Sequence, residues 1–109
     1  MKDSIVISDN KKMEVLPAGD ILRLEAHRMY AVIFTKSKRE IVYTKPLKIL
    51  LDQLNPQIFF RVHKSHVVNL TAVKIYEKGR GGNIIMVDGS IIPVSQREKK
   101  KFLLRLCNK

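Results

Sequence analysis

The run Phe59-Phe60-Arg61-Val62-His63-Lys64-Ser65-His66-Val67-Val68-Asn69 holds more hydrogen-bonding side chains than a core strand needs. Three chemistries compete for it. For a metal site, His63 and His66 stand three apart, which on one extended strand puts them on opposite faces. No second Cys or His cluster accompanies them, so zinc is not expected. For a nucleophile, Ser65 has a histidine neighbour but no carboxylate partner at a recognisable spacing, so catalysis is not expected either. For a nucleic-acid contact, the run leaves a strand and enters a loop, where Lys64 and Ser65 reach phosphates and base edges. His63 also fits a bland reading, as a packed strand residue on the Phe59/Arg61 face.

Two further segments carry candidate chemistry. Ser95-Gln96-Arg97-Glu98 has the capping-box form, serine followed three residues on by glutamate. That reading sets Arg97 in the first turn of a C-terminal helix, where a guanidinium can chelate guanine O6 and N7. The bland alternative is a solvated arginine. Lys99, Lys100 and Lys101 follow, and they span too much of a turn to face one partner. Gly79-Arg80-Gly81-Gly82 lacks the Lys-Ser/Thr pair of a phosphate-binding P-loop. It reads as a flexible turn from which Arg80 can touch a phosphate.

Charge agrees with these candidates. The chain has 109 residues and a net charge of +11. Residues 1–26 sum to −1, residues 27–94 to +7 and residues 95–109 to +5, so the positive field belongs to the last three-quarters. Such a field concentrates polyanions. At 45% apolar and 28% charged residues the composition is globular, and the length suits one domain. The one cysteine, Cys107, excludes an intrachain disulfide and favours a reducing compartment. Its leucine neighbours predict a half-buried helical thiol. The acidic, polar start is no signal peptide, and no stretch approaches the roughly 18 apolar residues of a membrane span. A soluble cytoplasmic protein with no cofactor is expected.

The elements that must position these residues are short. Residues 1–12 read as an N-terminal arm, with Ile5-Val6-Ile7 as one added strand, and residues 13–109 as the domain. Ile21–Ala26 alternates, with Leu22, Leu24 and Ala26 on one face and Arg23 and Glu25 on the other. His27-Arg28-Met29 interrupts, and strands resume at Tyr30–Thr35 and Glu40–Tyr43. Thr44 offers a cap and Pro46 a first turn to a helix carrying Leu47, Leu50, Leu51 and Leu54, about two and a half turns long, stopped by Asn55-Pro56. Strands follow at Phe59–His63, Val67-Val68 and Ala72–Tyr76. Asn83–Val87 and Ile91–Val94 flank Asp88-Gly89-Ser90, a strong hairpin signal. The last helix sets Phe102, Leu103 and Leu106 on one face.

In this order the segments resemble a known family. Asp20–Ala26 with Tyr30 five residues beyond Glu25, the leucine helix, the Arg-x-His-Lys-Ser-x-x-Val-Asn string and Asp88-Gly89 followed by Ile92-Pro93-Val94-Ser95 are similar to the LytTR DNA-binding domain of bacterial response regulators. The resemblance covers about residues 13–107. It implies a mainly β, elongated fold of small stacked antiparallel sheets with one short mid-chain helix and a C-terminal helix. It further implies a sequence-specific regulator whose loops read successive major grooves of bent double-stranded DNA, on paired half-sites. Carried over by position, the contacts lie in His27, Arg28 and Tyr30; in Arg61, His63, Lys64, Ser65 and Asn69; and in Ser95, Gln96, Arg97 and Lys100. Lys64 departs from the arginine or asparagine frequent at its position. Only about a dozen residues precede the domain, so the expectation is a free-standing regulator or an excised fragment with a separate signalling partner, its copies pairing on DNA. The competing expectation is an RNA-binding or architectural basic β protein, which would expose aromatics for base stacking.

Overall fold

The computed structural model describes residues 4–108. Met1–Asp3, the tip of the expected arm, and Lys109 lie outside them. Ten strands and two helices follow in chain order: β1 Ser4–Ser8, β2 Met13–Pro17, β3 Ile21–Ala26, β4 Ala31–Thr35, β5 Glu40–Tyr43, α1 Leu47–Leu51, β6 Phe59–His63, β7 His66–Asn69, β8 Val73–Glu77, β9 Asn83–Met86, β10 Ile91–Pro93 and α2 Lys99–Cys107. They form three antiparallel sheets: β1-β2, β5-β4-β3-β7-β6 and β10-β9-β8. The body is elongated, 45 × 27 × 24 Å.

The five-stranded sheet is central because its strands bury both faces. One core holds Ile5, Leu16, Leu24, Ile33, Leu47, Leu50, Phe59 and Val67, roofed by the β1-β2 hairpin and α1. The other holds Leu22, Val62, Val68, Ile84, Met86, Ile92 and Phe102, roofed by the three-stranded sheet and α2. Leu22 was expected to share a face with Leu24. The register of β3 on β4 slips between Ile21 and Arg23, and the extra residue in that bulge turns Leu22 into the opposite core. Phe102, with no exposed surface, sits 6.1 Å from Phe60 and 5.8 Å from Tyr76, ring centre to ring centre. Removing such a ring costs about 3–5 kcal/mol, so α2 is anchored to the sheet that carries the candidate loops.

The added strand expected in the arm forms as β1, and Ile5 is 1% exposed in the first core; three local expectations after it need correction. The Gln53 side chain clamps β1, accepting from Val6 N at 2.9 Å and donating to Val6 O at 3.4 Å. Helix α1 spans only Leu47–Leu51, with extended Pro46 at its N-cap and no side-chain cap from Thr44. Gln53 N and Leu54 N bond to Leu50 O and Leu51 O, a tight turn that buries Leu54 without further helix. Helix α2 begins at Lys99, with Glu98 at the cap position and no capping side chain. Ser95 is too far ahead to serve as cap: its N–H is held by Val62 O at 2.8 Å, and a turn closed by Glu98 N on Ser95 O separates it from the helix. Cys107 is exposed, not half-buried. The Asp88-Gly89 hairpin forms as expected: Gly89 adopts φ +87 and Asp88 Oδ1 accepts from Ser90 N and Oγ.

Candidate nucleic-acid interface

Strands β6 and β7 form a hairpin whose turn is Lys64-Ser65. His63 and His66 are direct cross-strand partners, their ring centres 5.4 Å apart. The hairpin therefore removes the argument that an offset of three separates them. No group of three or more His, Cys, Asp or Glu side chains able to hold a metal ion occurs among the described residues. The turn is braced from below. Arg61 donates a guanidinium N–H to Lys64 O, and Ser65 N donates to His63 Nδ1 at 3.1 Å. Neutral His63 must then carry its ring proton on Nε2, as a donor. Lys64 is exposed, and its ammonium has no hydrogen-bond or ion-pair partner among the described residues.

The β3–β4 loop lies beside this hairpin, held by a bond from Ala26 N to Ser65 O at 2.8 Å. His27 N donates to Tyr30 O at 2.8 Å, and the two rings stack at 4.7 Å. His27, Arg28, Met29 and Tyr30 are all exposed. Below the loop, Glu25 accepts from Arg23 at 3.2 Å and pairs with His27 Nε2 at 3.5 Å. Arg23 in turn lies 3.7 Å over the Phe34 ring. Glu25 faces His66 across the strands. Burial pushes the His66 pKa down from its ordinary value, with Glu25 opposing and the His63, Arg23 and His27 charges adding to the shift.

The segment before α2 closes the group. The bond from Ser95 N to Val62 O sets it against β6. Glu98 N closes on Ser95 O at 3.0 Å, so Arg97 stands in a turn just ahead of the helix. Its side chain is 89% exposed, 3.9 Å from Glu98. Arg61, His63, Lys64, Ser95, Arg97 and Glu98 line one open cleft of about 430 Å³. The adjoining groove is lined by Gln96, Lys100, Arg80, Lys99 and Leu103.

Eleven of the twelve residues predicted for DNA contact thus fall in three loops joined by backbone hydrogen bonds, or in the groove beside them. Asn69 is the exception. It is 1% exposed, its Nδ2 donates to Ile21 O at 2.9 Å, and its Oδ1 accepts from Thr71 N and Oγ1 at 2.9 and 2.7 Å. A buried amide whose oxygen and one N–H are bonded internally is not placed to meet a duplex, so it leaves the set. Glu98 and Lys99 were not predicted. The sequence places Glu98 in a capping box, whereas in the fold it lines the cleft beside Arg97.

Among the described residues no helix is long and apolar enough to cross a membrane. The profile of the LytTr DNA-binding domain family matches residues 11–106. The transcriptional regulatory protein YpdB of Escherichia coli K12 is 29% identical over 105 residues, covering 92% of this chain and 42% of that protein. The CO-responsive transcriptional regulator RcoM of Rhodospirillum rubrum is 27% identical over 90 residues, covering 78% of this chain and 37% of that protein. The chain spans less than half the length of these two relatives. Among solved structures, a LytTr DNA-binding domain from Bacillus cereus superposes with a TM-score of 0.78 at 19% identity over the whole of both chains. With the mainly β fold and its loop order matched in this way, the chain belongs to the LytTR family of DNA-binding domains.

Proposed function

We propose that this chain is the sequence-reading module of a transcription regulator and that it grips duplex DNA with the His27–Tyr30, Arg61–Ser65 and Ser95–Arg97 loops. The observation that carries the reading is the pair of backbone bonds, Ala26 N to Ser65 O and Ser95 N to Val62 O, that fix the three loops to one another. Loops tied to a buried sheet present their side chains at fixed spacing, and reading base edges requires that.

Roles follow from chemistry. Arg97 is the base reader: its exposed guanidinium matches guanine O6 and N7. Gln96 can take adenine N6 and N7 in the same groove. Lys64 is a point charge for phosphate, and Ser65 adds a hydroxyl donor. Arg61 acts through the turn that it braces. A body 45 Å long exceeds the roughly 34 Å between equivalent points on one duplex face, so its edge can meet two successive major grooves. Two copies on paired half-sites, in the cytoplasm, under a separate signalling partner, complete the reading.

RNA is disfavoured because the aromatics are occupied. Phe59 and Phe102 are buried, Phe34 is covered by Arg23, and exposed Tyr30 is stacked on His27. The test is fluorescence anisotropy with genomic duplex fragments against random duplex and RNA competitors at about 0.15 M salt. Retention of a few duplexes containing two phased half-sites is expected. Equal competition by every polyanion refutes sequence reading.

A further inference from the structure

The +11 charge is larger than the three loops account for, and the groove beside them holds Arg80 and Lys99, which belong to none of those loops, together with Lys100. Arg80 stands at its lip, on the loop 79–82 between β8 and β9. The sequence suggests a flexible loop there. The structure holds it from four sides. Lys99 Nζ donates to Gly79 O at 2.8 Å, Tyr76 Oη donates to Gly81 O at 2.5 Å, and Val94 N donates to Gly82 O at 3.0 Å. The fourth constraint is steric: a β-carbon on Gly81 would lie 1.9 Å from Val94 O. Glycine is therefore required because the loop packs directly on the backbone that leads into Ser95 and Arg97.

Arg80 is exposed, and its guanidinium has no hydrogen-bond or ion-pair partner among the described residues. With it in the groove lie Gln96, Lys99 and Lys100, and Gln96 belongs to the third loop. The third loop is therefore shared between groove and cleft: Gln96 lines the groove, and Ser95 and Arg97 line the cleft. The lining of the groove has no carboxylate. A sugar–phosphate strand suits that chemistry: three cations line one groove, with no acid among them to repel it.

We propose that the loop 79–82 is a fourth DNA-contact element, in which Arg80, with Lys100 across the groove, clamps the phosphate backbone flanking the bases read by the three loops. This rests on the proposed function, since the clamp needs the duplex that those loops select. It adds affinity and no sequence information.

The test is the salt dependence of duplex binding by the full chain and by Arg80→Ala, Arg80→Lys and Arg80→Glu. Each is measured on a random-sequence duplex and on the duplex the chain itself selects, with thermal melts as the fold control. Arg80→Ala should lower the slope of log K against log salt by about one on both duplexes and leave the ratio of the two affinities unchanged. Arg80→Lys should restore the slope, because phosphate accepts a point charge, and Arg80→Glu should lower it further. An unchanged slope for Arg80→Ala overturns the clamp while leaving the three-loop reading intact. A collapsed affinity ratio that lysine fails to restore overturns it in favour of base reading by Arg80. Failure of the unmodified chain to prefer duplex DNA over RNA overturns both.

Discussion

Asn69→Ala separates folding from binding at the residue where sequence and structure disagree most. The amide is 1% exposed and makes three hydrogen bonds, one across to Ile21 O and two to Thr71. Each is worth about 0.5–1.5 kcal/mol net, and a carbonyl stranded without a partner in the core costs about 1–3 kcal/mol. The two Thr71 bonds lie nearer solvent and are partly replaced by water. The expected loss is therefore about 2–4 kcal/mol, against a total stability of about 5–15 kcal/mol for a domain of this kind. For a domain of this length that lowers the melting temperature by about 10–25 °C. Urea unfolding followed by circular dichroism should show a lower midpoint at unchanged slope, since the surface exposed on unfolding does not change. Asn69→Asp should be worse, because it loses the donor and sets a carboxylate oxygen against Ile21 O. Duplex affinity, measured where both proteins are folded, should be unaltered. A loss below about 1 kcal/mol would mean the three bonds are not what holds β3, β7 and the following turn together. A large affinity loss in a fully folded Asn69→Ala protein would return the residue to the contact set.

Three further outcomes are expected. Arg97→Ala should cost about 1–3 kcal/mol on a selected duplex and relax the preference at one base position, measured by competition anisotropy, and equal losses on selected and random duplexes would remove it as a base reader. Lys64→Ala should flatten the salt slope by about one on every duplex, while Arg61→Ala weakens binding through the turn; a double-mutant cycle in which the two losses simply add would show that Arg61 does not act through Lys64. Stability should decline with acid through His66: its folded pKa is depressed by burial, so the unfolded chain takes up the proton first, and the loss sets in as pH falls below the ordinary value of 6.5 and continues to the lower folded value. Urea midpoints between pH 7 and pH 5 should fall less in His66→Gln than in the unmodified chain, and identical pH profiles would rule His66 out as the source.

The Arg61–Ser65 segment and the Asp88-Gly89 hairpin were legible because their signals are local. Both rest on adjacent residue types, and the second on one glycine at positive φ. The leucines of α1 were legible as core because periodicity reports burial, yet the helix length was not, since a tight turn buries Leu54 as well as another helical turn does. Residue order, charge and period thus determined the family resemblance, the strand sequence and the basic loops. Only the tertiary structure decided which polar groups are free. Ser95 has the sequence of a cap, but its backbone is drawn against Val62 and α2 begins only four residues later, with Glu98 at the cap position. Asn69 closes a string rich in DNA-contact chemistry, but Ile21, 48 residues away, claims its amide. Gly81 looks like slack and is instead contact, because Val94 runs 1.9 Å from where its β-carbon would be. In each case the deciding partner is distant in the chain, and local sequence carries no record of a hydrogen bond or a close approach made between segments far apart in it.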